Sequence, residues 1–172
     1  MKVSTENIEL LEKDLSSRLR YNVKGVVSAR VSLNIPNGDS FFTEKEMYID
    51  VELIGINTYG DISVVYSDDY DCDCSDYDLI ILDDGNYKIE AFKPYLRPIS
   101  SMTRGELKEL RDIFNNIIDF DEWGLDILNS DFKRFSYLEL VAIFDWFNKH
   151  HFDYLNLIEK GLAIVAPKGM YN

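Results

Sequence analysis

Residues 27 to 35 read VSARVSLNI, and this stretch decides the fold because here the hydrophobic period of the chain becomes two. Apolar residues alternate with polar ones, which is the pattern of a strand with one buried face and one face in water. The apolar positions are Val27, Ala29, Val31, Leu33 and Ile35, and the polar positions are Ser28, Arg30, Ser32 and Asn34. Pro36, Asn37, Gly38 and Asp39 are turn-forming residues, so we predict that the chain reverses after this strand.

Two further strands continue the same period along the chain. Residues 47 to 53 alternate apolar and polar side chains, and residues 62 to 66 do the same. The segment between them, residues 57 to 61, reads NTYGD, a composition typical of a turn. We therefore predict that the chain turns there into a third strand.

A hairpin is predicted around Asp83, Asp84 and Gly85, because glycine tolerates the positive φ that tight hairpin turns require. The flanking stretches are YDLIIL at residues 77 to 82 and NYKIEAF at residues 86 to 92. With these, the sequence indicates about five strands, mostly antiparallel because the connections are short. We expect a curved sheet or a small open barrel.

The first helix is predicted to begin at Ser4, whose side chain can cap the early backbone N–H groups. Val3 and Ile8 occupy the two positions of a hydrophobic staple. A stripe at helical spacing follows, formed by Ile8, Leu11, Leu15 and Leu19.

The second half of the chain carries three further helix starts. Thr103 with Glu106, and Ser136 with Glu139, have the spacing of capping boxes, and Asp153 is the cap of the third start. The predicted helices span residues 103 to 118, 136 to 149 and 153 to 160, with a short helical turn around Trp123. The last helix should end at Gly161, which suits the left-handed cap.

Residues 92 to 98, FKPYLRP, form a segment that we call the strap; both prolines favour an extended chain before them. The order is thus one helix, then strands, then helices, which indicates an α+β fold. We expect a single domain over residues 1 to 172, with possible sub-lobes at residues 1 to 92 and 93 to 172.

Composition points to a soluble, cytoplasmic protein. The 172 residues are 46% hydrophobic, enough for a packed core. The chain has neither an apolar run of the roughly 20 residues that span a bilayer nor the apolar segment of a signal peptide near its start. The two cysteines, Cys72 and Cys74, are too close in sequence for an unstrained disulfide, which suits a reducing compartment.

The net charge of −13 is confined to one part of the sequence. Residues 37 to 92 contain fifteen acidic and two basic residues, whereas residues 1 to 36 carry +2 and residues 93 to 172 carry −2. Such a field repels nucleic acid and attracts cationic proteins or metal ions. We therefore expect a cationic protein partner and no direct nucleic-acid binding, and we expect neither a membrane partner nor a small-molecule substrate.

The densest acidic stretch is residues 67 to 78, SDDYDCDCSDYD, which we call the acidic segment. Its six aspartates, the candidate partner-binding residues, are Asp68, Asp69, Asp71, Asp73, Asp76 and Asp78. Asp69, Asp71 and Asp73 match the opening of a calcium loop, but Cys74 stands where glycine is needed and Ile80 where a bidentate glutamate is needed. Two cysteines without a nearby histidine also fall short of the four ligands of a zinc site. We predict no specific metal site and no cofactor.

Motifs of catalysis are missing from the sequence. It has no Walker A sequence, no G-x-G-x-x-G, no H-E-x-x-H and no G-x-S-x-G elbow. The only histidines, His150 and His151, lie at the end of an aromatic helix, where an end-of-helix hydrogen bond is favourable. We therefore expect a protein without enzymatic activity and name no catalytic residue.

Two C-terminal stretches carry a resemblance. They are KPYLRPISSMT at residues 93 to 103, and DWFNKHHFDY at residues 145 to 154 continued by LIEKGLA and APKGMY. Over residues 93 to 172 the chain resembles a group of uncharacterised small accessory proteins of gut bacteria, their phages and mobile elements. The resemblance implies an accessory role inside a bacterium and transfers no catalytic residue.

The sequence thus favours a protein-interaction module whose acidic lobe binds a cationic protein surface. Four alternatives stay open. The protein could mimic nucleic acid and inhibit a DNA- or RNA-binding factor, or it could bind divalent metal through the acidic segment. It could be a structural or assembly protein that uses its aromatic C-terminal helices. It could also be an enzyme of unrecognised type, which a deep pocket with His150 or His151 and a carboxylate would indicate.

Overall fold

The computed structural model describes residues 4–34, 43–66, 78–81, 84–114 and 136–171. Contacts group the chain into two compact units, Met1–Tyr95 and Leu96–Asn172, which we call the sheet unit and the helical unit. The order of elements is an N-terminal helix, a mostly antiparallel sheet and then helices. The predicted α+β class is confirmed.

The first helix, α1, spans Thr5–Arg18 and begins as predicted, since the Ser4 hydroxyl accepts a hydrogen bond from the Asn7 N–H. Leu11 and Leu15 of the predicted stripe are buried. Val3, which we predicted to form the hydrophobic staple with Ile8, lies outside the described residues. A 3-10 turn, Leu19–Tyr21, continues the helix towards the first strand.

The sheet unit has six strands within the described residues. They are β1 (Lys24–Asn34), β2 (Thr43–Ile56), β3 (Asp61–Tyr66), β4 (Asp78–Ile81), β5 (Asn86–Lys88) and β6 (Phe92–Leu96). The order is β5-β3-β2-β1-β6, and β4 also pairs with β1, beyond β6 along the same strand. Within the described residues the path does not close, so the sheet is open, and it has more strands than the roughly five expected.

Alternation along β1 is as predicted, with Val27, Ala29 and Val31 buried. Ile35 and the side chain of Leu33 lie outside the described part. The turn at residues 57 to 61 also forms: the Asn57 side-chain oxygen accepts hydrogen bonds from two backbone N–H groups, and Gly60 has φ +74°.

The predicted hairpin around Gly85 is wrong. Gly85 does have a positive φ of 81°, but β4 pairs with β1 and β5 pairs with β3. A turn residue determines where the chain bends, whereas the partner of each strand depends on distant segments. The residues that follow β5 also depart from a continuous strand, because Ile89–Ala91 form a 3-10 turn before β6.

The strap is extended, as predicted, and its first residues form β6 on the edge of β1. Gly25 of β1 is paired with Pro94, and a Cβ at Gly25 would lie 2.5 Å from the Lys93 carbonyl oxygen and 2.6 Å from the Phe92 ring. Only glycine allows this close approach of the two strands.

The helical unit contains α2 (Arg104–Phe114), α3 (Tyr137–Lys149) and the short strand β7 (Ile164–Val165). Both predicted capping boxes form. A core of five side chains lies between the helices and the following turn: Leu110, Ile143, Trp146, Phe147 and Phe152. Residues 115 to 118 and Trp123, which we predicted to be helical, lie outside the described residues.

The predicted helix over residues 153 to 160 is wrong, since these residues form turns. Asn156 has φ +56°, which no α-helix accommodates. The Asp153 carboxylate, buried to 6% exposure, accepts hydrogen bonds from the N–H groups of Leu157 and Ile158 and so stabilises the turn. The left-handed glycine predicted at Gly161 is present, with φ +70°.

The apolar surface of α3 divides between its two ends. Ile143, Trp146 and Phe147 are buried, as expected for a core helix. Leu138 and Val141, in the first turns, are exposed by 76% and 46%. Across the residues that the structure describes, no helix is long and apolar enough to cross a membrane.

Candidate functional site

The acidic segment connects β3 to β4. It follows Tyr66, the last residue of β3, whose backbone is paired with Val51. It ends at Asp78, the first residue of β4, whose backbone is paired with Asn34. The other five candidate aspartates and both cysteines lie outside the described residues. Strands on both flanks exclude the helix–loop–helix frame of a calcium-binding EF-hand.

The outer face of the sheet is formed by the strand residues that alternate with the buried ones. On this face, some cations lie directly opposite carboxylates. Arg30 of β1 is directly opposite Glu46 of β2. Lys24 is directly opposite Glu52 in the same register. Opposite charges at facing positions of an antiparallel pair attract each other, so these carboxylates carry little net field.

Opposite charges are also paired at the edge of the sheet. Asp61 of β3 forms a salt bridge with Lys88 of β5. The hydrogen bond from Lys88 lowers the pKa of Asp61, and the bond to Asp61 raises the pKa of Lys88. Asp50, near the centre of β2, accepts a hydrogen bond from the Tyr95 hydroxyl at 2.6 Å.

Charge in the sheet unit is therefore distributed unevenly. Four strand carboxylates, those of Glu46, Asp50, Glu52 and Asp61, lie opposite a cation or accept from a hydroxyl, whereas residues 67 to 78 contain six aspartates and no lysine or arginine. In the sequence, the densest run of negative charge therefore lies between β3 and β4. Within the described ranges, no three His, Cys, Asp or Glu side chains converge on a possible metal position.

The helical unit contains a second polar cluster, centred on Arg97 of the strap. Its guanidinium binds the Glu106 carboxylate through two hydrogen bonds, of 2.6 and 3.1 Å, and lies over the Phe152 ring at 4.3 Å. Both charged side chains are largely buried, with 14% and 16% exposure. Such a two-point ion pair fixes the strap against the start of α2.

Glu106 has two tasks in this cluster, because it is also the acidic member of the capping box. Its carboxylate accepts the Thr103 N–H at 2.8 Å. Partial burial opposes its ionisation, but the hydrogen bonds from Arg97 and Thr103 outweigh that effect and lower the pKa of Glu106 to about 2. A carboxylate that is ionised so firmly is a poor proton acceptor at neutral pH.

His150 completes the cluster at the end of α3. Its ring stacks on Trp146 at 4.2 Å, and its nitrogens lie 3.6 Å from Glu106 and 3.8 Å from Glu109. Burial lowers the pKa of His150 although both carboxylates act in the opposite direction. Among the described residues no hydroxyl hydrogen-bonds to this imidazole, so the cluster lacks the nucleophile–base pair of a hydrolase.

His151 has a different environment from its neighbour. It has φ +56°, is 5% exposed, and stacks on the Tyr171 ring at 3.7 Å. Its carbonyl oxygen accepts the Arg97 N–H at 2.8 Å, so the second residue after α3 is tied to the strap.

Sequence reasoning identified Glu106 and both histidines but not the cluster that joins them. Arg97 carried one usable signal: a cation between two prolines, Pro94 and Pro98, in an extended segment that leads into a capping box. Its pairing with Glu106 depends on how the strap lies against α2, which no local pattern encodes.

Comparisons with known protein families, with curated proteins and with solved structures found no match to this chain.

Proposed function

We propose that the protein is a non-enzymatic interaction module whose acidic segment binds a cationic surface of another protein. The observation that carries this proposal is the uneven distribution of charge in the sheet unit. The strand carboxylates of Glu46, Glu52 and Asp61 lie opposite cations, but the acidic segment, with its six aspartates, has no lysine or arginine in its sequence. Unmatched carboxylates are the natural partners of lysine and arginine side chains.

The position of the segment supports the same function. Its flanking residues, Tyr66 and Asp78, both belong to strands that are paired in the sheet. A partner that binds between them would meet a segment whose two ends are held by a rigid scaffold, which is the usual arrangement of binding loops. The resemblance of the C-terminal half suggests the setting, an accessory protein of a phage or mobile element inside a bacterium.

The proposal is tested by capture from a bacterial lysate with three forms of the protein. The first is the wild type. The second changes the six aspartates to Asn: Asp68, Asp69, Asp71, Asp73, Asp76 and Asp78. The third is a matched control that removes six exposed carboxylates elsewhere, Glu6, Glu9, Glu46, Glu90, Asp112 and Glu159, as Gln or Asn.

We expect a partner that the wild type and the matched control retain and the six-Asn form loses, with release as salt rises because the contact is between charges. The captured protein should itself present a basic surface. A partner retained equally by the six-Asn form at high salt would contradict the proposal and assign binding to another surface. Calorimetric heat on addition of calcium that only the six-Asn form lacks would favour metal binding instead.

A further inference from the structure

A cavity of about 330 Å³ lies within the helical unit. One wall is formed by Arg97, Pro98, Ser101 and Thr103, and the opposite wall by residues 165 to 171. Its volume equals roughly eleven water molecules in the liquid and falls at the lower end of small-molecule sites. The cavity could therefore hold a compact ligand.

The charge of this cavity is opposite to that of the protein. The whole chain has 31 Asp and Glu against 18 Lys and Arg, yet the residues that line the cavity include two cations and no carboxylate. Arg97 is matched by Glu106, whereas Lys168, which is exposed at the rim, makes no ion pair with any residue that the structure describes. The cavity should thus have a local positive potential that favours an anion.

The rest of the lining is mainly apolar and contains an aromatic ring. Val165, Pro167, Met170 and Tyr171 contribute hydrocarbon and ring surface beside Lys168. A cation next to such surface suits a ligand that joins a flat apolar body to a single acidic group.

Both walls are held by contacts inside the helical unit. The Arg97 N–H donates to the His151 carbonyl oxygen, and the Ala166 N–H donates to the Leu96 carbonyl oxygen, each at 2.8 Å. Tyr171 stacks on the buried His151 ring. The cavity is therefore preformed, which lowers the entropy cost of binding.

We propose that this cavity binds a small organic anion, a carboxylate attached to an aromatic or similarly flat apolar body. Lys168 would meet the carboxylate, and Tyr171 with its apolar neighbours would contact the body. The site is separate from the acidic segment, so either proposal can fail without the other.

The test compares two probes of nearly equal shape, 2-naphthoate and its neutral analogue naphthalene-2-carboxamide. Binding is followed by amide chemical shifts of the ¹⁵N-labelled full chain. We expect saturable shifts at residues of the two cavity walls with naphthoate, and an affinity about five- to tenfold weaker for the carboxamide because it lacks the charge.

Three variants locate the contact. Lys168→Met should reduce naphthoate affinity to the level of the carboxamide, since it keeps the alkyl chain and removes the charge. Lys108→Met, an exposed lysine of α2 away from the cavity, is the matched control and should bind naphthoate like the wild type. Ser101→Phe places a ring at the cavity wall and should abolish binding of both probes.

The proposal is overturned if naphthoate gives no saturable shifts, or if the shifts arise away from the two walls. It is also overturned if the carboxamide binds as tightly as naphthoate and Lys168→Met has no effect, because the cation would then play no part.

Discussion

The strands of the sheet unit and the polar cluster of the helical unit treat charge in opposite ways. The strands set charged side chains in solvent-accessible pairs, as Asp61 and Lys88 are, although α1 of the same unit buries the Asp14–Arg18 ion pair. The acidic segment contains six aspartates and no lysine or arginine. The helical unit brings a carboxylate, Glu106, to 16% exposure and joins it to Arg97 and a helix cap. Charge in the polar cluster of the helical unit is thus a structural element, whereas we propose that the aspartates of the acidic segment bind a partner.

The largest effect should come from Glu106→Gln, which keeps the cap but removes the charge that faces Arg97. We expect it to lower the free energy of unfolding by about 2 to 3 kcal/mol, because Arg97 is left largely buried without its counter-charge. Both tryptophans, Trp123 and Trp146, belong to the helical unit, so fluorescence during urea unfolding reports on that unit.

Glu139→Gln is the matched control for that change. Glu139 has the same place in the second capping box, but it accepts hydrogen bonds only from Ser136 and faces no arginine in the described part of the chain. The urea midpoint should therefore shift far less than with Glu106→Gln. Equal shifts would show that the cap, rather than the ion pair, is what Glu106 contributes.

The pH dependence of stability should separate the part of Glu106 in the ion pair with Arg97 from its part in the helix cap. The pKa of Glu106 in the folded protein is about 2, below its ordinary value of 4.5, so the unfolded chain takes up the proton first. The stability that Glu106 provides is complete above pH 4.5 and is lost as the pH falls towards 2. The difference between wild type and Glu106→Gln should shrink across this window in acid unfolding curves, and a constant difference would contradict the assignment.

A smaller effect is expected at His150. Burial lowers its pKa below 6.5, so the folded state resists protonation and the stability that His150 contributes is lost as the pH falls below that value. An NMR titration checks this, since the chain has only two histidines and His150→Gln identifies the signal. A His150 pKa above 6.5 would show that Glu106 and Glu109 outweigh burial.

The smallest effect should come from Asp61→Asn in the sheet unit. This change removes the salt bridge with Lys88, whose side chain is 66% exposed. Exposed pairs are screened by water and salt, so the unfolding transition followed by circular dichroism should not shift measurably. A clear loss of stability would show that solvent-accessible charge pairs on the strands also contribute to stability.

Local physics made much of the fold predictable. The caps at Ser4, Thr103 and Ser136 mark helix starts because each satisfies backbone N–H groups within a few residues of itself. Alternation along β1 was readable for the same reason, since one face of each strand must be buried.

The predictions that proved wrong concern features that depend on distant contacts or on the backbone conformation of a single residue. The turn at Gly85 was recognised, but pairing of β4 with β1 depends on a strand more than forty residues earlier. The helix expected after Asp153 is interrupted by the left-handed conformation of Asn156, which nothing in its neighbours required. Likewise, the pairing of Arg97 with Glu106 could not be predicted, because it depends on where the strap lies against α2.

The most direct test of the contrast between the two units is the affinity of the purified partner as a function of salt, measured for wild type, the six-Asn form and the six-carboxylate control. We predict that affinity for wild type and control falls steadily as salt rises, and that the six-Asn form binds weakly at every salt concentration while unfolding at the same urea concentration as wild type. Equal affinity of all three forms, independent of salt, would contradict the claim that the unmatched charge of the sheet unit is its binding surface.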